Sequence, residues 1–577
     1  MHLTRGGDSL PAAASSGRSR AVILLLCATL ASISLAGAAP EVVGSPGHQP
    51  AASGDLYHAL LAASQDLGPT AADRRVELML NLADGSSSRV DAEIAAMYTP
   101  GSAAFGRRVS AAEYDAAHGA RPEDAARAAD YLNAAGLHAT WRQGQRWISV
   151  DGPAATVESV FGVGIRDFRA LSGGAFYAST GPVRVPPALV GVVTDTSWVT
   201  DYQPAHLHSV PPGGLKPVDV ATAYNTKPLR DQGIDGTGAT VVLWALGDSF
   251  KQADIDAFDQ KYGLPPLTPE VNGPSAASLK SEGEIIMDIE VVHAIAPGAK
   301  ILVDTTQPPK AVAGMLDVQA KLVDEAQGGI VSQSWGGCEK LDPPAYVEGT
   351  KSVYDKAAEL GVQVFVSTGD SGGYECLTAD FGRPPRDELI GVPLPAAAPG
   401  VTAVGGTRLS VRQDGGYYHE SVWENPAVME GGGGGLSNFY SMPPWQKGPG
   451  VQNEFSNGMR QIPDVSADAD PTSGMSILSD GKPDQGGGTS QSSPMWAGFA
   501  ALINQYLRKQ GVKPVGFLNP ALYAVAEKKK PLPAFHDVTT GTNLVYPAAA
   551  GYSLATGLGT PDVYNLALDL ELYQRSQ

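Results

Sequence analysis

The chain has 577 residues, 43% of them hydrophobic and 18% charged, so it is a globular protein with material for two or three domains. Its formal net charge of -19 argues against nucleic-acid binding, which requires basic patches. The same acidity keeps it soluble at neutral pH and brings it toward neutrality in acid, a first pointer to an acidic workplace.

Arg18 and Arg20 precede an apolar run from Ala21 to Leu35, followed by Ala36-Gly37-Ala38. A positive region, an apolar core and small residues at a cleavage site describe a secretory signal peptide over residues 1–38. The run is shorter than the roughly 20 residues that cross a bilayer, and no later stretch is long and apolar enough, which argues against the alternative of a membrane anchor. The protein is therefore expected outside the cell. Cys27 leaves with the signal peptide. Cys338 and Cys376 remain, an even pair in an oxidising compartment, which favours a disulfide over two free buried thiols.

Residues 39 to about 55 are rich in Pro, Ala and Gly and read as unstructured. From Arg75, Val76, Leu78, Leu80 and Leu82 alternate as on one face of a strand. "DAARAADYLNAAGL" is an amphipathic helix ending at Gly136, "ATWRQGQRWISVDG" a strand–turn–strand, and "PAATVESVFGV" a short helix opened by proline. These elements make a small α+β domain over about residues 55 to 200. The stretch 204–217, with four prolines and two glycines, is an exposed linker.

Beyond the linker the pattern changes. "GATVVLWAL", "AKILVDT", "GGIVSQSWG" and "GVQVFVSTGD" are short, continuous apolar strands separated by helical stretches. That alternation predicts an α/β domain with a parallel sheet covered on both faces, and such sheets carry their chemistry at the carboxyl ends of the strands.

Two features carry chemistry. "GGTSQSSPMWAG" places Ser490 among small residues at the start of an apolar helix, where glycines permit a sharp turn and helix N–H groups face developing negative charge. A serine needs a base. Upstream in this domain only His293 and His419 qualify as histidines. His419 lies in the Gly-rich "DGGYYHES". His293 shares a helix with Glu284 and Asp288, but at 100° per residue it falls about 180° around from Glu284. Glu284 and Asp288, at i and i+4, lie on one face one turn apart. Their flanks are apolar, so two buried carboxylates must share a proton. His293 reads as a core or surface neighbour of Glu290. Asp370, in "STGDSG", reads on its own as a turn residue. The Gly431–Gly435 run lacks the Lys-Ser/Thr of a phosphate loop and reads as a flexible loop.

Glu284-x-x-x-Asp288 before "IAPGAKI", then "VSQSWGGCE", "FVSTGDSGG", "GGGGGLSNFY", "IPDVSADADP" and "GGTSQSSPMWAG" resemble, in that order, the kumamolisin-like sedolisin family of serine-carboxyl peptidases. The N-terminal α+β region resembles the family's activation propeptide. The resemblance implies a subtilisin-like parallel-sheet catalytic domain over 205–577, preceded by the propeptide over 39–204. It implies a secreted zymogen that hydrolyses peptide bonds in acid through an acyl-enzyme. Glu284 would be the base, Asp288 its partner, Ser490 the nucleophile, and Asp370 the donor to the oxyanion. Partners would be protein or peptide substrates, with the propeptide as an intramolecular inhibitor of a monomer, and no nucleic acid or membrane. The alternatives are a subtilisin-type protease using His293 and an inactive binding homologue. Endopeptidase and tripeptidyl-peptidase activity are both open. The family also carries one calcium ion. Here it would fall to Asp537, Val538, Ala549, Gly551 and Ser553, where Ser553 stands in place of the expected aspartate and weakens the site.

Overall fold

The computed structural model describes residues 55–83, 87–170, 173–202, 214–273, 283–308, 312–377, 387–527 and 533–576. The signal peptide, the stretch before Asp55 and linker residues 203–213 lie outside the described residues.

The N-terminal part forms a four-stranded antiparallel sheet in the order His138–Thr140, Trp147–Pro153, Arg75–Leu82, Val193–Thr196. Val76, Leu78, Leu80 and Leu82 share one cluster with Leu132 of the helix Pro122–Ala134 and Phe161 of the helix Ala154–Phe161. That much follows the alternation. The other face of the same strand is also buried, which alternation alone does not show. Met79 and Trp147 pack among peptidase side chains, and Asn81 donates to the carbonyl of Ala345 at 3.0 Å.

The C-terminal part is built on one sheet. Its order is Tyr417–Val422, Thr402–Val411, Gln363–Ser367, Ile330–Gln333, Thr240–Trp244, Lys300–Asp304, Glu270–Asn272, with Val465–Asp468 paired to Thr402–Val411. The pairings are parallel except at Tyr417–Val422, which folds back as an antiparallel edge. Strand residues point alternately to two layers. Val241, Leu243 and Phe365 join Ile285, Ile289, Met495 and Phe499 of the helices Glu284–Ile295 and Thr489–Lys509. Val242, Trp244 and Val364 join Leu316, Leu322 and Tyr354 of the helices Val312–Ala326 and Pro344–Leu360. The N-terminal sheet lies on this second layer. Tyr98 reinforces the junction, its hydroxyl donating to the carbonyl of Ala358 at 2.6 Å.

Candidate active site

Three adjacent strands build the floor of the site. Thr240–Trp244 runs on to Asp248, Ile330–Gln333 to Ser334, and Gln363–Ser367 to Asp370. Neighbouring parallel strands end side by side, so three polar side chains far apart in sequence meet at one carboxyl edge. The two functional helices begin at this edge. Gly283 cannot cap the helix Glu284–Ile295 with a side chain, and Asp248 does so from its own strand, accepting the N–H of Ile285 at 2.9 Å.

Asp288 is 1% exposed. The Ser334 hydroxyl donates to its Oδ1 at 2.9 Å and lies 3.2 Å from Oδ2. The same hydroxyl is 3.4 Å from the carbonyl of Ser490, and the Ser490 hydroxyl is 3.4 Å from the carbonyl of Ser334. The Ser490 carbonyl is open to this contact for a sequence reason. In a regular helix the N–H of residue 494 would take it, and Pro494 has none. Burial holds the Asp288 carboxyl well above the usual range, the Glu284 charge pushes the same way, and the Ser334 bond pulls back. Glu284, one turn earlier, is half-buried rather than fully buried. The partner acid is thus sealed, while the acid expected to act as base stays partly exposed.

Asp370 is tied to the turn before Ser490. Its Oδ1 accepts the N–H of Thr489 at 2.7 Å and the Thr489 hydroxyl at 3.0 Å. A Cβ on Gly488 would lie 2.6 Å from Asp370 Oδ2, and φ there is +76°, so only glycine fits. The Gly431–Gly435 run is not a flexible loop. All five residues are buried, and Gly431 and Gly433 donate to the carbonyls of Asp370 and Gly369, each at 2.8 Å. Their lack of side chains serves close approach, since a Cβ on Gly433 would collide with the Thr368 carbonyl.

Asp248 and Glu375 have no mark of their own in the sequence, and Ser334 and Thr489 lie inside recognised motifs that assign them no role. Glu375 lies against Gly369. Burial, then the Asp370 charge, lifts its carboxyl well above the usual range. The one available signal was position, since Asp248 and Ser334 follow strand ends.

The histidines lie elsewhere. His293 is buried, with Nε2 2.9 Å from the Pro265 carbonyl and 3.0 Å from Asp259 Oδ1. Its partner is thus Asp259 rather than Glu290, because the helix Gln252–Tyr262 packs on that face. His419 sits on the edge strand, 3.2 Å from the Thr540 hydroxyl. Cys338 and Cys376 are disulfide-bonded.

The five calcium residues do not fit the ion. Asp537 is the one carboxylate among them, and its Oδ1 takes the N–H of Gly551 at 3.2 Å. The Ser553 hydroxyl is committed to a turn, accepting the Thr556 N–H at 3.2 Å beside the Thr556 hydroxyl at 3.1 Å. Val538 is buried, and Ala549 and Gly551 offer carbonyls only. Calcium takes six to eight oxygens, several of them charged.

Residues 62–195 match the family model "Pro-kumamolisin, activation domain", and residues 273–520 match "Subtilase family". Kumamolisin from Bacillus sp. (strain MN-32) is 32% identical over 538 residues, covering 86% of this chain and 92% of that protein. The chain belongs to the sedolisin family. Sedolisin from Pseudomonas sp. (strain 101) is 28% identical over 451 residues, 73% of this chain and 74% of that protein. The solved structure titled "Pseudomonas sedolisin (serine-carboxyl proteinase) complexed with two molecules of pseudo-iodotyrostatin" superposes with a TM-score of 0.54 at 25% identity. It covers 64% of this chain and 99% of that one. This sedolisin-family chain is therefore a serine-type peptidase of subtilisin-like fold, made as a zymogen with an activation domain.

Proposed function

We propose that the peptidase hydrolyses peptide bonds in acid through Ser490, Glu284 and Asp288, with Asp370 at the oxyanion. The observation that carries this is the link from Asp288 through Ser334 to Ser490, on the face of the helix that holds Glu284. Glu284 takes the proton of the Ser490 hydroxyl as its oxygen attacks the peptide carbonyl. It returns that proton to the leaving amine, which leaves an acyl-enzyme. Water then attacks the ester, Glu284 again takes the proton, and Ser490 recovers it. Asp288 shares a proton with Glu284 and holds it in place. Protonated Asp370 and the N–H of Ser490 donate to the oxyanion. Asp370 donates only when protonated, and the acid pair must keep its shared proton, so the chemistry belongs to acid.

The chain is proposed to leave the cell, as a monomer, with residues 39–204 as its inhibitory propeptide and 205–577 as the peptidase. Among the described residues no helix is long and apolar enough to cross a membrane. Maturation is by cutting within 204–214. The described ends of that stretch support this. Tyr202 packs edge-on against Phe176, in the same apolar cluster as Cys338 and Cys376. On the peptidase side Leu215 bonds to Gly474 and Ser476, each at 2.8 Å. The intervening Met475 donates to Gln491, the neighbour of Ser490.

The deciding experiment compares Glu284→Gln and His293→Ala on one peptide substrate. Glutamine cannot accept the serine proton, so turnover should fall about 100-fold or more. His293→Ala should lower the unfolding temperature and leave turnover within a few fold. The opposite result refutes the carboxyl mechanism and favours the histidine reading.

A further inference from the structure

A second cluster of ionisable side chains lies outside the active site, at the junction of the two parts. Glu93 on the helix Ser87–Tyr98 and His118 at the end of the helix Ala111–His118 belong to the activation domain. Glu359, next to last in the helix Pro344–Leu360, belongs to the peptidase. His118 Nε2 lies 3.1 Å from Glu93 Oε2 and 3.6 Å from Glu359 Oε1, and the three atoms all lie within 4.8 Å of one another. His118 is 2% exposed and Glu359 1%. Glu359 Oε1 faces the imidazole and has no hydrogen-bond partner.

Helix stability does not explain this acid. The last turn of a helix is its negative end and favours cations. Here two helix ends and two carboxylates converge on one imidazole nitrogen. A buried carboxylate with an unmatched oxygen in that field is costly unless a positive charge joins it.

We propose that Glu93, His118 and Glu359 bind one divalent cation of the zinc type, which staples the activation domain to the peptidase. Tetrahedral bonds of about 2.0–2.1 Å set ligand atoms roughly 3.3 Å apart. The observed 3.1 and 3.6 Å from the imidazole nitrogen bracket that edge, and the two carboxylate oxygens, within 4.8 Å of each other, close on the ion. An imidazole nitrogen with carboxylates suits zinc and its neighbours, whereas calcium and magnesium take oxygen alone. Arg89 lies 3.3 Å from Glu93 Oε1, which leaves Oε2 turned inward, as an outer partner does for a ligand. Arg107 and Arg146 also act on the cluster and offset part of its charge, which tells further against a hard cation held by charge alone. His118 Nδ1 has no partner, so the ring is oriented by packing on Tyr114, with centroids 4.8 Å apart. Glu93 is partly exposed and opens a path for the ion and a fourth position for water.

The test is zinc titration, by calorimetry at neutral pH, of the full-length Ser490→Ala chain, which removes self-cleavage from the measurement. One zinc should bind per chain and raise the unfolding temperature. Glu359→Gln in the same background should weaken binding roughly 100-fold. Glu93→Gln, at the partly exposed edge where folding is safe, should weaken it as well. Circular dichroism checks the fold of each variant. Absence of saturable zinc binding overturns the proposal and leaves a hydrogen-bonded His–Glu contact only. So does binding that is unchanged in Glu93→Gln.

Discussion

Ser334→Ala isolates the hydroxyl that bonds Asp288, the partner of the proposed base. The backbone carbonyl of Ser334, 3.4 Å from the Ser490 hydroxyl, remains, while the donor to Asp288 at 2.9 Å is lost. That donor favours ionised Asp288 against a burial that opposes it. A hydrogen bond to a charged group contributes about 1.5–3 kcal/mol, or roughly one to two pH units at 1.36 kcal/mol per unit. Removing it raises the affinity of the Glu284–Asp288 pair for its protons. The pair then keeps its shared proton to higher pH, and it takes a second, inactivating proton at higher pH too. Both limbs of the kcat/KM profile should therefore move in the alkaline direction by about one unit. The assay is an internally quenched peptide across acid to neutral pH, with Ser334→Thr as the control that keeps a hydroxyl. A profile that stays in place, or moves toward acid, refutes the coupling of Ser334 to the acid pair.

Three further outcomes are expected. Ser490→Ala, purified alone, should remain an uncut precursor in acid, and self-processing seen on a gel would exclude Ser490 as the nucleophile. Burial pushes Glu290 up to about 9 from 4.5, so its contribution is fully present below 4.5 and is lost as pH rises toward 9. By neutral pH that loss amounts to at most about 3 kcal/mol. Glu290→Gln keeps an acceptor for the Leu478 N–H and should raise the unfolding temperature at pH 7 but not at pH 4. A gain of equal size at both would refute the titration. Chelators should leave the unfolding temperature of the mature enzyme unchanged, whereas Ser553→Asp should create a calcium-dependent rise. A calcium response in the parent would restore the ion to the C-terminal loop.

Local pattern carried much of the candidate site. The i, i+4 spacing of Glu284 and Asp288 on an apolar helix, and the small residues around Ser490, are signals written within one or two turns of chain. They needed no knowledge of neighbours, because side-chain period and turn chemistry are local properties. The same holds for the exclusion of His293, which follows from the angle between positions on one helix. Its actual partner, Asp259, did not follow, because nothing in the helix says which element packs on its other face.

The continuous apolar strands and their intervening helices determined a parallel sheet with chemistry at its carboxyl edge, and the motif order determined the family. Tertiary structure alone decided which strands are neighbours, and so which residues meet at that edge. Ser334 reaches Asp288 across 46 positions and Ser490 across 156, distances at which no periodicity operates. It decided that Met79 and Trp147 face the peptidase, giving the strand Arg75–Leu82 two buried faces. It also decided the meaning of the Gly431–Gly435 run. A glycine reads alike in sequence whether it supplies freedom or makes room, and only the Thr368 carbonyl lying against Gly433 shows that here it makes room.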